Sequence, residues 1–246
     1  MKRSVFFIAF LSCCSFIMAQ QASSSCNDTQ KIFFGLSVGP TIDWFAPTND
    51  AIIKKNAKGG FIAGADINFA LAKTTQIYFA TGVLVRYLQG DFSFNNRYLF
   101  PSPTDTLEIS TVRTYQTTYI TVPTGIKFRT KSIKKCVFLG KIGLYHNFRV
   151  GGNQVDNFSF PGENAPISPK YYISTEKVKN KDAAFFAESG YFGLGFEYLL
   201  GKSRVFVNVD YSCQFNYFSK KAKSNITAEQ FKSIVHSLHI VFGFYF

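Results

Sequence analysis

Apolar and polar residues alternate with period two along eight stretches of the chain. Side chains of an extended strand point to opposite faces in turn, so this rhythm predicts strands with one apolar and one polar face. The clearest stretch is 204–217, where Val205, Val207, Val209, Tyr211, Cys213, Phe215 and Tyr217 oppose Arg204, Asn208, Asp210, Ser212, Gln214 and Asn216. The same pattern runs through 32–44, 60–71, 76–88, 113–129, 136–149 and 184–199. It closes the chain at 236–246, where Leu238, Ile240, Phe242, Phe244 and Phe246 form one wholly apolar face.

A soluble sandwich alternates in the same way, so other features must decide what solvates the apolar faces. The stretches run for about 12 to 16 residues, longer than the ~5–6 of ordinary globular strands and suited to crossing a bilayer on a tilt, which takes ~9–11 residues in the apolar band alone. The connections alternate too: 45–58, 90–112, 150–183 and 218–232 are long and polar, whereas 72–75, 130–135 and 200–203 are short. Short turns at one rim, long loops at the other and an even strand number describe a bacterial outer-membrane barrel. The expected fold over 32–246 is therefore all-β: an eight-stranded antiparallel transmembrane β-barrel, multi-pass in the outer membrane, with short periplasmic turns and long extracellular loops. Outer-membrane lipid covers the apolar faces. Trp44 is expected in the outer aromatic girdle, and Tyr245 with Phe246 in the periplasmic one. A last strand ending in Phe242, Phe244 and Phe246 also resembles the signal read by the barrel-assembly machinery during insertion.

The first residues fit export. Lys2 and Arg3 precede an apolar run from Val5 to Ala19, the layout of a secretory signal peptide over 1–19, followed by a periplasmic segment over 20–31. Cleavage is expected near Ala19 or Gln20; Cys13 and Cys14 form only a loose lipobox. Removing Lys2 and Arg3 lowers the formal charge from +12 to +10. Such basicity raises nucleic acid as a partner in a cytosolic protein, but an exported chain without a recognition motif points to no nucleic acid. Cys26, Cys136 and Cys213 remain, too sparse for a metal site; Cys26 and Cys136 both map to the periplasmic end and can pair in principle.

An eight-stranded barrel is just wide enough for side chains to fill. The inward set places Asp43, Asp66, Glu197 and Asp210 among Arg86, Lys127, Arg129, Lys141, Arg149 and Arg204, so a luminal charge network is expected rather than a pore, because an unpaired interior charge is costly. At the periplasmic rim Lys73, Arg129, Lys131, Lys134, Lys135 and Lys202 gather against little acid. This ring is a candidate contact for anionic lipid headgroups or an acidic partner. Catalysis has little support: among the three histidines, His236 and Ser237 point to opposite faces, and a set from His236, Glu229 and Ser224 has arbitrary spacing. No catalytic residue, metal or cofactor is expected.

The stretch "TYITVPTGIKFRTK", 118–131, places an aromatic, a mid-strand proline and a lysine at Tyr119, Pro123 and Lys127. It resembles the PorT-like family of small outer-membrane barrels of Bacteroidota, although Thr121 and Thr124 stand where that family is more apolar. The resemblance implies a non-enzymatic accessory of the type IX secretion system whose partners are other secretion-system components. A bulge is expected at Pro123. The sequence also admits a general structural or adhesive barrel that binds through its long loops, and a lipid-modifying barrel enzyme.

Overall fold

The computed structural model describes residues 31–48, 53–54, 56–71, 76–99, 106–159, 173–174, 183–201, 203–218 and 232–246. Eight long strands dominate: β1 (Ile32–Pro47), β2 (Lys58–Ala70), β3 (Ile77–Leu99), β4 (Thr106–Arg129), β5 (Cys136–Ser159), β6 (Phe186–Leu200), β7 (Ser203–Gln214) and β8 (Ser233–Tyr245). Each pairs antiparallel with its neighbour in sequence. The pairing of β1 with β8 closes the sheet, so no stave of the barrel is left with an open edge.

The register fixes the barrel's dimensions. A ladder that leaves β1 at Phe34 passes through Ile67, Thr81, Thr124, Leu144, Gly190, Cys213 and His236 and returns to β1 at Trp44, ten residues further along. Eight strands with that stagger tilt by roughly 40° and leave an interior that side chains fill. Burial alternates as the sequence pattern requires: on β1, Phe34, Leu36, Val38 and Ile42 are exposed while Phe33, Gly35, Ser37, Thr41 and Asp43 are buried. The terminal phenylalanines, Phe242, Phe244 and Phe246, all point outward.

Three expectations are corrected. First, 90–99, 106–112 and the start of 150–183 are strand rather than loop. β3 and β4 stay paired out to Leu99 and Thr106, and β4 with β5 out to Ser110 and Ser159, so a sheet rises well beyond the apolar band. Ile53–Lys54 and Ile173–Ser174 add short pairings along β3 and β5. Second, Pro123 carries no bulge: the β3–β4 register is the same on both sides of it, at Leu84–Thr121 and at Thr81–Thr124. Proline removes one ladder donor without adding a residue, so pairing lapses locally while the count is kept. The bulge lies where Thr118 faces Gly151 and Tyr119 faces Arg149, leaving Val150 extra on β5 at the base of the raised sheet. Third, Tyr245 is not in the girdle but buried in the lumen, as the parity of β8 demands.

The raised sheet leans over the outer mouth. Phe45, Leu88, Phe92, Tyr115 and Phe218 are all nearly fully buried there. Ring centroids lie 4.7 Å apart for Phe45 and Phe218 and 5.1 Å for Tyr115 and Phe218, in edge-on arrangements that aromatic pairs favour. An apolar lid therefore seals a polar lumen.

Candidate functional site

Inside the barrel the polar side chains form three levels. At the periplasmic level Glu197 of β6 is a hub: Lys127 Nζ lies 2.5 Å from its Oε1, Arg129 2.8 Å and Arg204 3.6 Å from its Oε2. Aromatic faces stand beside the same three cations. Arg204 sits 3.7 Å from the Phe33 ring centre, Lys127 4.5 Å from that of Tyr245, and Arg129 5.4 Å from that of Tyr78. A ring face attracts a cation through its quadrupole, most strongly where water is excluded.

In the middle, Lys141 pairs with Asp210 at 2.6 Å. Tyr191, Tyr145 and His239 stack beside them, with successive centroids 4.2 and 5.6 Å apart. Asp66 lines a cavity of about 40 Å³ together with Lys127, Lys141, Asn208 and Asp210. The buried oxygens Asn208 Oδ1 and Asp210 Oδ1 have no protein hydrogen-bond partner, so the cavity suits ordered water. Above it, Arg86 pairs with Asp43 at 2.8 Å and also donates to Ser237, while Thr41 donates to Asp43 at 3.0 Å. The seven expected luminal residues, Asp43, Asp66, Arg86, Lys127, Lys141, Glu197 and Asp210, thus share one interior, closed by the hub below and the aromatic lid above.

Of the expected rim residues, Lys131, Lys134 and Lys135 are exposed on the β4–β5 turn. Arg129 is not a rim contact: it is 5% exposed and turned inward to Glu197. Lys73, Lys202 and Cys26 lie outside the described residues, as do the 1–19 leader, Ser224 and Glu229. Cys136 and Cys213 are not joined to one another. In the motif stretch, Tyr119, Pro123 and Lys127 are all buried on the inner face, four residues apart, which makes that motif a luminal packing element.

The β4–β5 turn has an unusual backbone. Lys134 and Lys135 have φ of 49° and 75°, and Ile133 bridges to Cys136 around them. Two consecutive positive-φ residues make a tight hairpin turn that Asn-Gly suits and lysine does not, because a Cβ clashes in this region. Replacing the pair by Asn-Gly (K134N/K135G) is expected to stabilise the barrel by about 1–2 kcal/mol, read as a higher urea midpoint in lipid vesicles.

Sequence reasoning did not find two polar groups on the lipid face. His236 accepts or donates at Nδ1 2.6 Å from the Tyr211 hydroxyl and stacks on Trp44 at 5.7 Å, in the outer girdle. His146 links Thr124 and Glu188. Above the band, Arg113 makes a two-point contact with Asp156 at 2.8 and 2.7 Å. Burial opposes the Arg113 charge, yet hydrogen bonds to Asp156 hold its pKa above the ordinary value. Among the described residues no three metal-ligating side chains cluster.

The sequence model of a family described as outer membrane protein beta-barrel domain matches residues 18–219. No curated protein matches the chain. Solved structures similar to it include the attachment invasion locus protein Ail of Yersinia pestis, 14% identical, with 88% of this chain and 100% of that one covered and a TM-score of 0.37. OprG of Pseudomonas aeruginosa is 10% identical over 89% and 97% of the two chains, with a TM-score of 0.35. Neisserial surface protein A is 9% identical over 85% and 95%, with a TM-score of 0.34.

Proposed function

We propose, from the premise that the chain belongs to the outer membrane protein beta-barrel domain family, that it is a non-enzymatic component of a protein-export machinery of the type IX kind. The protein is an outer-membrane barrel, and its sealed lumen leaves its surfaces to do the work. The observation that carries the proposal is the β4–β5 turn, where exposed Lys131, Lys134 and Lys135 project at the periplasmic rim from a strained backbone. A fold keeps a disfavoured conformation only where the surroundings over-determine it, and such positions gather at functional sites. There the ammonium groups meet acidic partners of the machinery or anionic lipid headgroups. The motif at Tyr119, Pro123 and Lys127 supports the same assignment.

Deleting the gene is expected to trap cargo with C-terminal sorting domains in the periplasm. Reversing charge at Lys131, Lys134 and Lys135 to Glu is expected to cut export at least ~10-fold in cells that insert the variant normally. K134N/K135G sharpens the test, because it removes two charges while relieving strain: export should fall as stability rises. Full export by this better-folded variant counts against the rim contact. One observation favours the second reading, a structural or adhesive barrel: the raised β3–β4–β5 sheet offers an ordered platform outside the cell. Wild-type export after gene deletion, with lost surface attachment, would select it.

A further inference from the structure

A polar stripe crosses the lipid-facing surface of four adjacent strands. Thr81 of β3 pairs with Thr124 of β4; Thr124 Oγ1 lies 3.0 Å from His146 Nε2 on β5; and His146 Nδ1 lies 3.3 Å from Glu188 Oε1 on β6. These side chains remain partly exposed, 27% for His146 and 37% for Glu188. Around them the outward positions are apolar: Ile120, Val122, Ile126 and Phe128 on β4, and Phe138, Ile142, Leu144 and Phe148 on β5. Ionisable groups turned toward hydrocarbon are rare and costly, and where they persist they mark a functional contact.

The order hydroxyl, imidazole, carboxylate is that of an activated nucleophile, but depth excludes this use. Thr124 is the middle outward position of its strand, two outward residues from either end of the apolar run. Lipid esters lie at the band's edge, roughly 10 Å away. The stripe runs from this mid-band hydroxyl outward to Glu188, and a surface approaching within the membrane plane meets its whole length.

We propose that this surface belongs to a second copy of this chain. The stripe is its own complement: base and acid stand on neighbouring strands at similar depth, so a two-fold axis normal to the membrane between β5 and β6 sets each His146 against the partner subunit's Glu188. Such reciprocity is what an isologous interface requires. His146 and Glu188 are directly paired across β5 and β6, while the strands' tilt of roughly 40° brings the diagonal from Thr124 to His146 nearly parallel to the barrel axis, the line along which two upright cylinders touch. The small side chains of Thr81 and Thr124 permit close approach. In the dimer each carboxylate meets an imidazole from both copies, and the stripe leaves hydrocarbon.

The test uses full-length barrels carrying donor or acceptor dyes, reconstituted in phosphatidylethanolamine–phosphatidylglycerol vesicles and read by energy transfer as protein is diluted into lipid. Wild type should show transfer that saturates with protein density. H146E alone and E188H alone set like against like, and each should weaken association at least ~10-fold. Mixing the two restores opposite partners and should recover transfer between them. H146Q/E188Q, which keeps hydrogen-bonding groups, guards against misfolding and should weaken association less than either single change. Monomeric wild type at every density, single variants that associate as wild type, or folded variants whose mixture stays apart would overturn the proposal and leave the stripe to lipid or to another protein.

Discussion

Replacing Glu197 by glutamine is expected to destabilise the barrel by about 3–5 kcal/mol, the usual result of removing one member of a buried charge cluster. Glu197 is 1% exposed and contacts Lys127, Arg129 and Arg204. Glutamine keeps the shape and still accepts hydrogen bonds, so the loss reports charge rather than packing. Without the carboxylate, the three cations repel one another at the base of the lumen, and the ring faces beside them are weaker opposition than a full negative charge. Equilibrium unfolding in urea, followed by the shift in gel mobility between folded and unfolded barrel, measures the change. A further substitution, K127M in the E197Q background, should recover part of the loss, because it removes one of the crowded charges. If E197Q unfolds within about 1 kcal/mol of wild type, then the other contacts of these cations, the aromatic faces of Phe33, Tyr78 and Tyr245 among them, hold the cluster and the carboxylate is secondary.

Why the hub was only half visible in the sequence follows from its geometry. Parity alone assigns the faces: a strand's alternation says that Lys127, Glu197 and Arg204 point inward, and they do. It cannot say which of them meet, because contacts across the lumen depend on the stagger, and the ten-residue return from Phe34 to Trp44 is a property of the closed sheet. Arg129 shares the inward parity of Lys127, while its place near a turn also suggests the rim; parity decides between the two, and the guanidinium meets Glu197. For Tyr245 the parity of β8 outweighs the preference of aromatic rings for interfaces, and the ring turns into the lumen.

The raised sheet is not legible in the sequence because its chemistry loses the alternation that marks a membrane strand. Beyond the apolar band both faces meet polar surroundings or the lid, and Asp91, Phe92, Ser93 and Phe94 are buried consecutively. No period-two pattern survives there, although the β-branched residues of 110–118 favour extended backbone. The His146–Glu188 contact was hidden likewise, since its members are 42 positions apart (188 less 146) and only the β5–β6 pairing brings them side by side.

Replacing Gly39 by alanine is expected to be the most damaging single-methyl change in the barrel, lowering stability by about 3 kcal/mol and the yield of folded protein with it. Gly39 lies on β1 at the seam where the sheet closes on β8. A Cβ there would run into the carbonyl oxygen of Ile240 and reach the Cα of Val241, which are backbone atoms and have no rotamer by which to yield. The next residue, Pro40, cannot donate to the ladder, and no pairing is made between Val38–Phe242 and Thr41–His239. The closing seam is therefore already thinned where the glycine permits the strands their close approach, and moving them apart would strain the bonds on either side. Gly59, on β2, provides the contrast: nothing lies within 4 Å of the position its added methyl would take, so G59A should change stability by no more than about 0.5 kcal/mol. Parallel refolding of both variants into vesicles separates the two. Equal behaviour would mean that the seam can part without loss, and that closure of β1 on β8 rests on the ladders beyond Gly39 rather than on this approach.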